Sequence, residues 1–298
     1  MAGIKSVPTR RSVQTPSGLI SYTEQGTGPV ALFVHGVLLN GYLWRHQLEN
    51  LSELRRCIAV DLLAHGDTEI PPDRDVSVTA CAQMLREFLD ALRIDQADLV
   101  GNDSGSGIAQ IFAAWQPERV RSLTLTNGDT HDNWPPEAFK PFLAMAASGG
   151  LSGTLGAMLA DKSIYRSPQA LGPAYEHPEQ VTDETIEAYL RPLVKTPQRT
   201  RDFERFLAAF DNRHTLAIEA RLKTLIAPTL IVWGTDDVYF DMKWSHWLAD
   251  TIPGTRRRVE FAGARIFFPE ERAAEFNQEL RAHWRAVGGQ HVHSSAQG

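Results

Sequence analysis

The residue with the clearest chemical potential is Asp103, at the centre of the pentapeptide Gly-x-Asp-x-Gly at positions 101–105. The mostly apolar residues 97–100 predict a strand before it, and residues 108–114 have the spacing of an amphipathic helix after it. A strand, a sharp glycine turn and a helix form a nucleophile elbow, which exposes its central side chain at the end of the strand. We therefore predict that Asp103 is a nucleophile or a general base. A phosphate-binding glycine loop or a plain tight turn is the alternative.

Strand-like and helix-like segments alternate around this elbow. Residues 30–34 are continuously apolar, as expected of a central strand buried on both faces. Further strands are predicted at 18–23, 56–62, 120–125, 229–233 and 258–261, and helices at 42–51, 78–92, 242–251 and 270–287. This alternation predicts an α/β fold with a mostly parallel sheet and helices on both faces.

One stretch, residues 134–221, has a different character. It contains four helical patterns separated by Pro and Gly and no convincing strand. We interpret it as a helical lid over the carboxyl ends of the strands, where ligands bind in open α/β sheets. The predicted organisation is a core formed by residues 1–133 and 222–288, the lid at 134–221, and a disordered tail at 289–298.

Composition restricts the classes of partner. The 298 residues are 43% hydrophobic and 22% charged, and the net charge of −6 has no concentrated block, so we expect no nucleic-acid binding. No apolar run reaches roughly twenty residues, so we expect no membrane segment and a cytoplasmic location. Cys57 and Cys81 are expected to be buried core residues, and no motif indicates a metal or an organic cofactor. The expected partner is a small-molecule substrate, and a homodimer is left open.

Four segments carry a family resemblance over nearly the whole chain. Residues 33–36 (Phe-Val-His-Gly) with 42–45 (Tyr-Leu-Trp-Arg) are similar to an oxyanion-loop region. Residues 61–68 resemble a D-x-x-G-x-G-x-S loop, with Ala64 in place of its first Gly. Residues 233–237 (Trp-Gly-Thr-Asp-Asp) resemble a W-G-x-x-D turn that carries a catalytic acid. Together with the Asp-centred elbow, these segments resemble the haloalkane dehalogenases and epoxide hydrolases, the Asp-nucleophile branch of the α/β-hydrolase superfamily.

The resemblance implies a fold and a two-step reaction. The fold is the α/β-hydrolase fold, a mostly parallel twisted sheet with a helical lid. Asp103 would attack an sp³ carbon of a small, largely apolar, epoxide-like electrophile, and water activated by a His–acid pair would hydrolyse the resulting ester. The resemblance assigns the stabilising oxyanion N–H groups to Val37 and Ser104 and the acid role to Asp237.

The histidine of this pair departs from the family pattern. The family has His in a G-x-G-H-F stretch after the last strand, where this chain has Ile266 followed by Phe267. His131, in the loop after the strand that follows the elbow, is a candidate replacement base. The more ordinary interpretation of that loop is hydrogen bonding that closes turns.

The environment of the pocket is predicted from the same alignment of motifs. Ile266 and Phe267 should make one wall apolar, and His35 and Trp134 are further candidate pocket residues. Val37 and Ser104 stand where dehalogenases clamp halide and are poor halide ligands, which argues against a dehalogenase. Epoxide hydrolases protonate the substrate oxygen with lid tyrosines, and this lid contains candidates that are equally typical of core packing: Tyr165, Tyr175 and Tyr189.

Two other functions remain open at this point. In the first, Asp103 is a non-hydrolytic general acid/base of a lyase, isomerase or cyclase, because an apolar pocket raises the pKa of a carboxyl group towards neutrality. In the second, the chain is a non-catalytic ligand-binding protein on the same scaffold, since fold alone does not fix function.

Overall fold

A computed structural model describes residues 8–294, with the side chains of residues 8–288. One sheet contains eight strands, β1 (Thr9–Thr15), β2 (Gly18–Gln25), β3 (Val30–Val34), β4 (Arg56–Val60), β5 (Ala97–Asp103), β6 (Val120–Gly128), β7 (Thr229–Gly234) and β8 (Thr255–Phe261). Their order is β1-β2-β4-β3-β5-β6-β7-β8. Strand β2 is antiparallel to β1 and β4, and all other neighbours are parallel. The predicted α/β fold with a mostly parallel sheet is confirmed.

Within residues 8–294, thirteen α-helices accompany the sheet. They are α1 (Arg45–Leu51), α2 (Val78–Ala91), α3 (Ser104–Trp115), α4 (Lys140–Ala147), α5 (Leu151–Ala160), α6 (Lys162–Arg166), α7 (Asp183–Val194), α8 (Pro197–Ala208), α9 (Arg213–Leu216), α10 (Glu219–Leu222), α11 (Lys243–Thr251), α12 (Phe268–Glu271) and α13 (Ala273–Ser294). Strands β3 and β5 lie at the centre of the sheet, and all of their residues are buried. The continuous apolar character of β3 follows from having both faces covered.

Strand β1 is the one strand that the sequence pattern does not predict. Its residues are mostly exposed and polar, so they lack the alternation by which a half-buried strand is recognised. It is an edge strand, held by its antiparallel ladder with β2 and by ion pairs. Arg10 lies 2.5 Å from the Asp61 carboxylate, and Arg11 lies 2.7 Å from Glu24.

The part of the structure between β6 and β7 contains helices and no strand, in agreement with the helical pattern of the predicted lid. The boundaries 134–221 stay a prediction. Several polar contacts join this region to the core. Among them, Arg199 donates to the carbonyls of Gly66 and Thr68, and the Tyr189 hydroxyl donates to Glu270 at 2.7 Å.

The remaining expectations concern the chain end, the membrane and the cysteines. Helix α13 extends to Ser294 and thus into the tail predicted to be disordered, whereas residues 295–298 lie outside the described part. Within residues 8–294, no single helix is long and apolar enough to cross a membrane, and only the bent pair Glu137–Ala147 and Leu151–Ala160 reaches that length when combined. Cys57 and Cys81 are both buried and unpaired, as predicted.

Candidate active site

The elbow forms at the junction of β5 and α3. Asp103 has φ of 57°, a left-handed backbone conformation that is strained for a residue with a side chain. The flanking glycines are required because the chain segments approach too closely for a Cβ. A Cβ at Gly105 would lie 2.3 Å from the carbonyl oxygen of Val34, and one at Gly101 would lie 2.4 Å from that of Gly105. This geometry is the predicted nucleophile elbow.

The carboxylate of Asp103 is held by backbone donors. Its Oδ2 accepts a hydrogen bond from the Val37 N–H at 2.8 Å, and the Ser104 N–H also stabilises the charged form. These are the two N–H groups that the sequence assigned to the oxyanion site. Both N–H groups already contact the Asp103 carboxyl group. Hydrolysis of an ester on Asp103 would form its oxyanion on that same group.

A cavity of about 30 Å³ lies against Asp103. Its lining is mostly apolar: Phe139, Leu171 and Phe210 come from the predicted lid, and Ile266 and Phe267 come from the core. A buried water needs roughly 10–15 Å³, so the cavity has room for little more than two water molecules. A substrate of ordinary size therefore needs the lid residues to move.

Three carboxyl groups have raised pKa values at this site. Burial raises the pKa of Asp103 to about 8, opposed by the Val37 N–H bond and assisted by the charge of Asp237. Burial, with a further contribution from the Asp103 charge, raises the pKa of Asp129 well above its ordinary value. Burial also raises the pKa of Asp237 to about 7. The site is therefore a cluster of acids that resist ionisation together.

Asp237 has a well-defined structural contact. Its Oδ1 accepts hydrogen bonds from the N–H groups of Tyr239 at 2.8 Å and Phe240 at 3.4 Å. The residue is partly exposed, whereas its Oδ2 is buried without a hydrogen-bond partner. Because Tyr239 and Phe240 both line the cavity, Asp237 fixes the turn that presents that wall.

The structure does not bring the two candidate histidines to the cavity wall. His131 directs Nε2 to Glu219 at 3.2 Å and packs on the Trp247 ring at 4.7 Å. His35 is fully buried, and its Nε2 accepts a hydrogen bond from the Leu62 N–H at 3.0 Å. Burial lowers the pKa of His35 to about 4, so it is neutral and orders the loop. Among the residues that the structure describes, no histidine lines the cavity.

Ile266 and Phe267 lie where the sequence predicts them, on the cavity wall. The backbone carbonyl of Ile266 accepts a hydrogen bond from the Asn102 side chain at 2.8 Å, which ties this segment to the elbow. Trp134 does not line the cavity; it is buried, and its indole packs against the Phe210 ring with centroids 5.8 Å apart. The position expected to hold a catalytic histidine is thus an apolar wall.

The lid tyrosines are engaged with other groups. The hydroxyls of Tyr165 and Tyr175 lie 3.0 Å apart, and the Tyr189 hydroxyl donates to Glu270. None of the three lines the cavity.

Two polar cavity residues, Asp129 and Tyr239, were not among the candidate site residues, although the loop that contains Asp129 was expected to face the pocket at the entrance to the lid. The available signal for Asp129 was its place directly after the strand next to the elbow strand, and Tyr239 had only its proximity to the predicted acid turn.

Comparison with known proteins places this geometry in a family. A family model described as alpha/beta hydrolase fold matches residues 29–272. A haloalkane dehalogenase of Mesorhizobium japonicum is 35% identical over 121 residues, which are 40% of this chain and 39% of that protein. Epoxide hydrolase 2 of Siraitia grosvenorii is 46% identical over 101 residues, which are 33% of this chain and 32% of that protein. The matches to these two curated relatives therefore span less than half of their lengths.

A solved structure extends the similarity to the whole fold. The epoxide hydrolase CorEH, without ligand, superposes with a TM-score of 0.78 at 19% identity, covering 94% of this chain and all of the other. At this identity the likeness concerns the fold alone.

Proposed function

The chain belongs to the α/β-hydrolase fold family, and from this premise we propose that it is an enzyme acting on a small, largely apolar electrophile through Asp103. The observation that carries the proposal is the position of Asp103: it lies in a strained elbow, against an apolar cavity, with Oδ2 hydrogen-bonded to the Val37 N–H. Strained backbone and carboxyl groups whose pKa is raised by burial both cluster at functional sites.

The proposed reaction begins with an alkyl-enzyme ester. The Asp103 carboxylate forms a bond to an sp³ carbon, and the leaving oxygen departs from that carbon. Attack of water on the ester carbonyl then places negative charge on an oxygen of Asp103, beside the N–H groups of Val37 and Ser104. An epoxide is favoured over an alkyl halide because neither residue at the halide position has a suitable side chain. Val37 contributes only its backbone N–H, and Ser104 has no indole N–H to bind a halide.

Intact-protein mass spectrometry tests this proposal. The protein is incubated with styrene oxide and with phenacyl bromide, and the same experiment is run with Asp103→Asn. We expect an ester on Asp103, mapped by peptide sequencing, or diol formation that the substitution abolishes. The intact mass of the variant also shows whether its amide has reverted to Asp. Full activity of Asp103→Asn, or the absence of both ester and diol with every probe, would contradict the proposal.

A second function is favoured by one specific observation. Asp103, Asp129 and Asp237 all have raised pKa values, and no described histidine reaches the cavity. Such a cluster suits a non-hydrolytic acid/base reaction, in which Asp103 exchanges a proton and no ester forms. Turnover of an enolisable substrate that depends on Asp103 but never alkylates it would favour this alternative.

A further inference from the structure

Strand register places a second carboxyl group beside Asp103. Asp103 at the end of β5 pairs with Gly128 at the end of β6, and Asp129 is the next residue. The backbone carbonyl of Asp129 is fixed by the Gln110 side chain, which donates to it at 2.9 Å. Asp129 is 1% exposed and lines the same cavity as Asp103. Two carboxyl groups on adjacent parallel strands therefore face one small space.

The carboxyl group of Asp129 has fewer contacts than the structural aspartates of this chain. Asp61 accepts hydrogen bonds from the N–H groups of Gly41 and Asp67, and Asp237 accepts two from its own turn. For Asp129, no backbone N–H bond to the carboxyl group is found among the described residues: its Oδ1 is buried with no hydrogen-bond partner, and the Ser104 side chain is the group that favours its charged form. A buried polar atom left without a partner costs free energy and calls for a functional explanation.

The other groups able to move protons at this site are few. The three lid tyrosines do not line the cavity, and neither His35 nor His131 reaches it. Tyr239 does line it, and burial raises the pKa of its phenol to about 12. Such a phenol is able to donate a proton to an alkoxide, but near neutral pH it is almost never the phenolate needed to deprotonate water.

We propose that Asp129 is the proton-transferring residue of the Asp103 reaction, acting as acid in ester formation and as base in ester hydrolysis. This inference rests on the proposed function of Asp103. Two buried neighbouring carboxyl groups do not both ionise readily, so Asp129 keeps its proton when Asp103 is ionised. The pair then contains one nucleophile and one acid.

Ester formation with an epoxide balances as follows. The Asp103 carboxylate bonds to an epoxide carbon, the bond from that carbon to the ring oxygen breaks, and the ring oxygen takes the proton of Asp129. Esterification removes the negative charge of Asp103. Asp129 is now an ionised carboxylate next to a neutral ester.

Ester hydrolysis restores the starting state. Asp129 takes a proton from water as the water oxygen attacks the ester carbonyl, and the oxyanion forms beside the N–H groups of Val37 and Ser104. The bond from the carbonyl carbon to the alkoxide oxygen breaks, and the alkoxide takes the proton from Asp129. Asp103 is released as the acid and passes its proton to Asp129. The sum is epoxide plus water giving a vicinal diol.

The test compares Asp129→Asn with Asp132→Asn, an exposed acid of the same loop, using two probes. Phenacyl bromide alkylates a carboxylate without needing an acid, so the Asp129 variant should still form the Asp103 ester. That ester should persist, while in the unchanged protein it decays. With styrene oxide, diol formation by the Asp129 variant should fall by roughly a hundredfold or more, the usual contribution of general acid–base catalysis. Asp132→Asn should match the unchanged protein.

A pH profile gives a readout that a structural role would not move. The charged or titratable groups facing Asp103 are Asp129, Asp237 and Tyr239, and Asp129 itself faces Asp103 and the Ser104 side chain. Because Asp129 keeps its proton while Asp103 ionises, diol formation should fall again at high pH, where Asp129 loses that proton, and Asp129→Asn should lose this alkaline fall. If Asp129→Asn does not fold, Asp129→Ser is used for all of these measurements.

Several results separate failure of this inference from failure of the proposed function. Diol formation at the unchanged rate by Asp129→Asn, without a lasting ester, would overturn the role of Asp129. Loss of diol formation in Tyr239→Phe but not in Asp129→Asn would overturn it as well. Absence of any Asp103 ester or diol in the unchanged protein would instead remove the proposed function on which it rests.

Discussion

At the scale of single residues, Asp103 is subject to opposing influences. Burial disfavours its charge, whereas the N–H groups of Val37 and Ser104 favour it. Burial has the larger effect, and the pKa rises to about 8. The nucleophilic carboxylate is therefore the minority form of Asp103 at neutral pH.

This balance predicts the pH dependence of ester formation. The rate of Asp103 alkylation by phenacyl bromide should increase about tenfold per pH unit below the pKa, and should level off above about pH 8. Only the ionised carboxylate attacks, so the rate rises with pH. Intact-mass time courses between about pH 5 and about pH 10 measure it. A rate already constant at about pH 6 would show that Asp103 ionises normally.

Asp237 gives a second residue-scale prediction. Asp237→Asn retains an oxygen that accepts the bonds from Tyr239 and Phe240, so the turn should stay intact. Esterification of Asp103 at neutral pH should become somewhat faster, because the Asp237 charge no longer opposes ionisation of Asp103. Asp237→Ala should lose the turn and about 1–3 kcal/mol of stability, as expected for two lost hydrogen bonds. Equal behaviour of the two variants in esterification and thermal unfolding would contradict this role.

The sequence identified Asp103 because the glycines that frame it reflect local geometry. A Cβ has no space at Gly101 or Gly105, and this requirement is visible in the pentapeptide itself. Asp129 could not be recognised in the same way. Its place beside Asp103 depends on the register between β5 and β6, which no local pattern encodes.

At the scale of elements, the closeness of β3, β5 and α3 determines the elbow. Gly105→Ala would place a methyl group 2.3 Å from the Val34 carbonyl oxygen, which is backbone and cannot rotate away. We expect destabilisation of about 1–3 kcal/mol or more and loss of Asp103 esterification. Gly153→Ala in α5 is the matched control: its Cβ meets nothing within 4 Å, so it should stabilise by about 0.5–1 kcal/mol. Urea unfolding measures both, and similar destabilisation by the two substitutions would contradict the argument.

Elements were predictable to different degrees for physical reasons. Strand β3 was evident because burial on both faces favours a continuous apolar run, and β5 was evident from its mostly apolar start before the glycine turn. Strand β1 was not, since its stability comes from a backbone ladder and ion pairs and leaves no hydrophobic pattern. The loop after β6 left two interpretations open for a related reason: polar residues that close turns and polar residues that face a cavity have the same composition.

At the scale of the whole molecule, the buried acids link stability to pH. Asp103, Asp129 and Asp237 have folded-state pKa values above the unfolded value of about 3.9. The folded state therefore retains protons that the unfolded state has lost, and stability falls as pH rises towards about 8. Each proton that the folded state retains and the unfolded state has lost makes the free energy of unfolding fall by about 1.4 kcal/mol per pH unit. In urea unfolding at a series of pH values up to about pH 8, the free energy of unfolding of Asp129→Asn should fall less with pH than that of the unchanged protein. The same dependence on pH in both proteins would contradict this prediction.

Two buried histidines produce the opposite effect in acid. Burial lowers the pKa of His35 to about 4 and that of His65 to about 3, below the unfolded value of about 6.5. The unfolded state then gains protons that the folded state does not, so their contribution to stability is lost as pH falls through this range. Replacing His35 or His65 with Asn should make the free energy of unfolding fall less steeply as pH drops below about 6.5. The pH dependence of stability above neutrality should stay unchanged.

The small size of the cavity beside Asp103 has a kinetic consequence. A space of about 30 Å³ admits no substrate while Phe139, Leu171 and Phe210 stay in place, so binding has to wait for a minor open population. The apparent Kd then equals the intrinsic Kd divided by the open fraction. In stopped-flow experiments on Asp103→Asn, with Trp134 beside Phe210 as the fluorophore, the observed rate should level off as styrene oxide concentration rises. That plateau would be the opening rate of the lid, and substitutions far from the carboxyl groups that loosen the lid would then raise affinity without a single new contact to the ligand.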